Sequence, residues 1–129
     1  MRPEPGDPVV HLELHTSDAD GAQALFAELC GWQPRLVGIA GAPYLALEMG
    51  RRIGGGIVEC QTRRPVWLPY VAVADVAAAT ERARRLGARV LLEPRVGPAG
   101  SRSVVRTEQG AELAFWQHGR VDDPRRHGR

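Results

Sequence analysis

Lysine is absent from this chain, and all seventeen basic residues are arginine. High-GC coding explains that bias, and the arginines are scattered among acids, leaving a formal net charge of only +2. A surface that grips nucleic acid needs a clustered basic stripe, and none is present, so a nucleic-acid partner is set aside. An Arg-rich run, Arg125, Arg126 and Arg129, lies in residues 119–129, which are expected to form a flexible, basic C-terminal tail. Cysteine is scarce too. Cys30 and Cys60 make neither a CxxC motif nor a disulfide framework, and both are placed on faces expected to be buried and unreactive. No apolar run approaches membrane-spanning length, and residues 1–8 hold three prolines and two acids where a secretory signal would be basic and then apolar. A cytoplasmic protein without a membrane partner is expected.

What is present is ordinary globular chemistry: 129 residues, 43% hydrophobic and 25% charged, enough for one domain with one core. Val10, Leu12 and Leu14 alternate with His11, Glu13 and His15, which predicts a half-buried strand. Ser17 and Asp18 then offer a helix cap, Ala22, Leu25, Phe26 and Leu29 form an apolar helical stripe, and Gly31 supplies the stop. Extended segments follow near 32–38, 43–49 and 54–61, and Pro65 breaks the chain.

The order then repeats. An extended stretch from Val66 leads to a capping Asp75, a helix with the stripe Val76, Ala79, Ala83 and Leu86, the stop Gly87, and strands near 88–93, 101–107 and 111–117. Asp18 to Gly31 and Asp75 to Gly87 are nearly equal spacings, which points to an internal duplication. The expected fold is α+β: two tandem βαβββ modules, residues 8–62 and 66–118, in one domain over residues 1–118, with a curved mixed sheet forming an open cup.

The layout, the string His11-Leu-Glu-Leu-His-Thr-Ser-Asp18 leading to Ala24-Leu-Phe-Ala-Glu-Leu-Cys-Gly-Trp32, and Trp67-Leu-Pro-Tyr-Val-Ala-Val-Ala-Asp75 resemble the vicinal oxygen chelate superfamily of glyoxalases, bleomycin-resistance proteins and extradiol dioxygenases. The resemblance implies a homodimer and, in metal-dependent members, four ligand positions on the first and last strand of each half. Here these fall on His11 and Glu59, and on Leu68 and Ala114, which have no lone pair to donate. Open catalytic coordination of a divalent ion normally takes about three protein ligands, so no cofactor is expected, with nickel, zinc or manganese as the alternative. An extradiol dioxygenase would need two histidines and a carboxylate, and only His11 matches that pattern.

On the face expected to line the cup, parity places His11, Glu13 and His15, then Ile57, Glu59 and Gln61, then Leu68 and Tyr70, then Glu112, Ala114 and Trp116. Three readings of His11 and Glu59 stay open: a hydrogen-bonded pair, an acid–base pair, or a metal site completed by Glu13, His15 or Glu112. Glu13, His15, Gln61, Tyr70, Glu112 and Trp116 are the expected pocket residues, as solvated side chains or as ligand anchors. Trp67, Tyr44 and Tyr70 are further aromatics suited to stacking on a flat ligand. Trp32 is expected in the core, and Arg51, Arg52 and Arg102 are expected to be solvated or anion-binding. The glycines Gly54-Gly55-Gly56 lack the Lys-Ser/Thr and helix of a phosphate loop and are read as bending the backbone. Gly97-Pro98-Ala99-Gly100 is read as a loop and a candidate flap. The resulting functional expectation is a small-molecule binding protein for an aromatic or polar metabolite or antibiotic, without a complete metal site. The alternative is an isomerase or lyase using His11 and Glu59.

Overall fold

A computed structural model of the chain describes residues 6–39, 42–97 and 100–119. The basic run in the tail, the first five residues, and Pro98 and Ala99 of the expected flap lie outside the described residues. The elements run β1 (Val9–Thr16), α1 (Ala19–Cys30), β2 (Gln33–Ile39), β3 (Ala42–Glu48), β4 (Gly54–Glu59), β5 (Val66–Ala72), α2 (Val76–Arg85), β6 (Arg89–Gly97), β7 (Gly100–Arg106) and β8 (Glu112–His118). This is an α+β chain in which βαβββ occurs twice. No helix among the described residues is long and apolar enough to cross a membrane. The described residues form two compact units, one within 9–70 and one of 6–8 with those of 71–119.

In the first unit the strand order is β2-β3-β4-β1-β5. β1 and β4 run parallel, with His11 opposite Gly54, Glu13 opposite Gly56 and Thr16 opposite Glu59, while β2, β3 and β4 are joined antiparallel. Helix α1 begins where Asp18 accepts a 3.0 Å hydrogen bond from the Gly21 amide and ends at Gly31, whose φ of 73° is left-handed. Leu14, Leu47 and Ile57 form the buried core, against which Ala22, Phe26, Trp32 and Trp67 pack. Phe26, Trp32 and Trp67 meet ring to ring at 5.4 to 6.2 Å, so Trp32 lies in the core as expected.

The predicted helical stripe is only half used. Ala22 and Phe26 face the core, but Leu25 and Leu29 are 56% and 69% exposed. The bulky Phe26–Trp32–Trp67 cluster takes up the contact along one edge of α1 and turns the two leucines outward. The cysteines also differ from expectation. Cys30 is exposed because it is the last residue of α1, and Cys60, just past the end of β4, is half-buried.

In the second unit β8, β7 and β6 pair antiparallel in that order. Asp75 caps α2 through the Ala78 amide at 3.1 Å. The helix buries Val76 together with Thr80, a polar residue outside the predicted stripe, while Leu86 at the C-cap is exposed. Thr80 is accommodated because its hydroxyl donates to the Val76 carbonyl at 2.6 Å and lies 2.7 Å from Ser103 Oγ on β7.

Candidate functional site

The first unit gathers five polar side chains on one face of β1, β3 and β5. Glu13 is their centre, only 6% exposed. Its Oε1 accepts from His15 Nε2 at 2.8 Å and from Tyr70 Oη at 2.9 Å, and its Oε2 accepts from Tyr44 Oη at 2.7 Å. Burial alone would push the Glu13 carboxyl up. The hydrogen bonds from His15, Tyr44 and Tyr70 outweigh it and hold the group below its ordinary value. Glu13 is therefore a fixed, buried negative charge at neutral pH.

The proton inventory then orients His11. Because Tyr44 donates to Glu13, its oxygen can only accept from His11, so the 3.0 Å contact from His11 Nε2 is an N–H donation. Burial lowers the His11 pKa, and the nearby charge of Glu13 raises it by less, so the ring is neutral near pH 7. His11 Nδ1 accordingly carries a lone pair. It lies over Gly54, where a Cβ would come within 2.8 Å of it. Tyr70 braces the imidazole edge-on, with ring centroids 5.3 Å apart. His15 is half-buried, its side chain 33% exposed.

Tyr44 was not among the residues singled out as the site's polar anchors, and it reaches the site in an unusual way. It belongs to β3, separated from β1 by β4, and its hydroxyl lies over Gly56. The glycine run therefore does more than bend the backbone: on this face Gly54 and Gly56 leave the strand bare where His11 and Tyr44 lie. Two glycines spaced by two in a strand, opposite two ionisable residues of the neighbouring strand, are the signal that points to it.

Of the residues predicted for the site, His11, Glu13, His15 and Tyr70 are brought together. Glu59 is not. It pairs in register with Thr16, five residues from His11, so its side chain is on the opposite face of β1 and β4. There its Oε1 accepts the Ala19 amide at 3.0 Å and caps α1. Ile57 shares that face and is core rather than pocket lining, which corrects the parity assigned to β4. Gln61 lies beyond the strand beside Ser17, Thr62 and Arg63 around a shallow depression of about 410 Å³. In the second unit Glu112 is ion-paired to Arg106 at 2.8 Å, and Trp116 stacks on His118 with centroids 5.3 Å apart. Gln117 does for α2 what Glu59 does for α1, accepting the Val76 amide at 2.9 Å, so these two positions correspond in the repeat.

The donors do not fit a divalent metal. His11 Nε2 is committed to Tyr44, Glu59 faces the helix, and Leu68 and Ala114 cannot ligate. Among the described residues no three His, Cys, Asp or Glu side chains converge as metal ligands.

The fold is like that of several solved structures, a likeness of fold alone. No protein-family model matches the chain. It is 27% identical over 119 residues to a protein provisionally named glyoxylase CFP32 in Mycobacterium bovis and Mycobacterium tuberculosis, covering 84% of this chain and 45% of the relative. The chain thus spans less than half the length of the curated relatives it matches. Among solved structures, hypothetical protein BH1468 from Bacillus halodurans is similar at a TM-score of 0.68 and 11% identity, covering 92% of this chain and 99% of that one. Methylmalonyl-CoA epimerase from Mycobacterium tuberculosis gives 0.59 and 18%, covering 87% and 88%.

Proposed function

We propose that this protein binds a small aromatic or polar metabolite or antibiotic against the His11, Glu13, His15, Tyr44 and Tyr70 face, without a divalent metal. The observation that carries the reading is the Glu13 carboxylate, buried yet held ionised by three donors. Keeping an ion out of water costs several kcal/mol unless it is paired and hydrogen-bonded, so such an arrangement is preorganised for a charge-complementary ligand. The fixed negative charge and the His11 Nδ1 lone pair both favour a ligand rich in hydrogen-bond donors or carrying a cation. A thermal-shift screen of donor-rich aromatic metabolites tests it. Hits whose shift disappears in His11→Gln but persists in chelator support the reading, and an absence of hits in wild type sinks it.

The His11 tautomer favours a second reading, an isomerase or lyase in which His11 Nδ1 removes a proton from the substrate. Glu13 through Tyr44, not Glu59, would stabilise the resulting imidazolium. Turnover lost in His11→Gln and kept in Glu59→Gln is the signature of that reading. A homodimer is also proposed, supported by the exposed Leu25 and Leu29 on α1, and sedimentation of wild type against Leu25→Glu tests it. A cytoplasmic location is retained as part of the proposal.

A further inference from the structure

Gln61, expected in the pocket, lies instead in a depression of its own in the first unit. β1 sits between β4 and β5 in the sheet, so residues 60–65, which link β4 to β5, pass the end of β1. That crossing brings Gln61, Thr62 and Arg63 together with Ser17 around about 410 Å³ of open space. β1 and β4 run parallel, so the depression lies outside the carboxyl ends of two parallel strands, where α/β folds commonly hold ligands.

The side chains around this space are uncommitted donors. Ser17, Gln61 and Arg63 have no side-chain partner among the described residues, whereas Thr62 gives its hydroxyl hydrogen to the Arg64 carbonyl at 2.8 Å and so fixes the turn. Arg63 brings the one charge among the four lining residues. The carboxylates nearest in sequence are engaged elsewhere: Asp18 accepts the Gly21 amide and Glu59 the Ala19 amide. They occupy the N-terminus of α1 and leave the guanidinium as the group that attracts a ligand. Their charges also oppose a dianion, so the surroundings favour a single negative charge. The repeat supplies an internal contrast. The residue before the Asp75 cap is Ala74, where the residue before the Asp18 cap is Ser17, so the hydroxyl is particular to the first unit.

We propose that Ser17, Gln61 and Arg63 form a subsite for a small aliphatic monocarboxylate. The guanidinium fork donates two parallel hydrogen bonds to a carboxylate, and the Ser17 hydroxyl and Gln61 amide supply further donors. The methylene stems of Gln61 and Arg63 offer the rest of the ligand an apolar wall. A space of this size is toward the lower end of the range usual for small-molecule sites, which suits a chain of a few carbons. The subsite goes beyond the Glu13 reading and stands without it, since the two share no residue.

The test follows the amide signals of the 15N-labelled full chain at pH 8 during titration with butyrate, with ionic strength held constant and chloride replacing butyrate in the blank. The expected result is a saturable shift at the backbone amides of Ser17, Gln61 and Arg63 and at the Gln61 side-chain amide. Arg63→Gln should weaken butyrate about fivefold or more. Arg63→Lys should fall between, because an ammonium keeps the charge and loses the fork. Neutral butyramide should give no saturable shift over the same range, and inorganic phosphate should bind more weakly than butyrate. Unchanged affinity in Arg63→Gln, an equal response to butyramide, tighter binding of phosphate, or shifts matched by the chloride blank would each overturn the proposal.

Discussion

Tyr44 reaches Glu13 because residue 56 is glycine. The phenol crosses the intervening strand directly over Gly56, and any Cβ at that position would overlap its hydroxyl. Gly56 is thus a positioning residue for the whole hydrogen-bond set, since Tyr44 links His11 to the carboxylate. Tyr44→Phe should destabilise the protein by about 2 kcal/mol, the usual loss for a hydrogen bond to a charged group. Gly56→Ala should cost about 2 to 4 kcal/mol, because overpacking adds to the same lost bond. In a Tyr44→Ala background the same Gly56→Ala change should be neutral or stabilising, since its clash is gone and alanine restricts the unfolded chain. Urea unfolding of the four proteins in the cycle reads this directly. Additive losses would show that the two residues are not coupled.

Stability should fall in two steps as pH drops, and the sign is the same for both groups. His11 has a lowered pKa in the folded protein, so the unfolded chain binds the extra proton first; stability is lost from about pH 6.5 down to the lowered value. Glu13 is also lowered, so its contribution is complete above the unfolded carboxylate range near pH 4.3 and is lost as pH falls through the folded value. Urea midpoints between pH 8 and pH 3 should show both losses. His11→Gln should remove the upper one and Glu13→Gln the lower. An upper step of unchanged size in His11→Gln would assign it to another histidine.

Glu59 should behave as a helix cap and not as a site residue. Glu59→Ala leaves the Ala19 amide without its acceptor and should cost about 1 kcal/mol. Glu59→Gln should recover most of that, because Gln117 performs the same task on α2 with a neutral amide. Thermal unfolding and ligand binding measured on both variants separate the roles, with binding expected to be unchanged. Loss of binding in Glu59→Gln would restore the pairing of His11 with Glu59.

Much of this fold was legible because its punctuation is strong: Asp18 and Asp75 cap, Gly31 and Gly87 stop, and the repeat spacing gives βαβββ twice. The face of β1 was legible too, since Leu12 and Leu14 alternate cleanly with His11, Glu13 and His15. β4 was not. Gly54, Gly55 and Gly56 have no side chain to alternate, and Ile57 and Val58 are both apolar, so either parity suits the sequence. Only the parallel register with β1 turns Ile57 inward and Glu59 toward the helix. Tyr44 was hidden for a related reason, because its partner is two strands away and the glycine that admits it carries no hydropathy signal. The exposed Leu25 and Leu29 show the converse limit, since an apolar stripe states what a helix can bury without stating how much the sheet will accept.

The central claim is that ligand binding depends on the charged, hydrogen-bonded Glu13 cluster and not on a metal. Calorimetric titration of the strongest screening hit against wild type, Glu13→Gln, His11→Gln and Glu59→Gln, each with and without chelator, tests it most directly. The account predicts that affinity falls at least tenfold in Glu13→Gln and His11→Gln, about 1.4 kcal/mol or more. It predicts no change in Glu59→Gln and none with chelator. Binding that survives Glu13→Gln and disappears with chelator would contradict it.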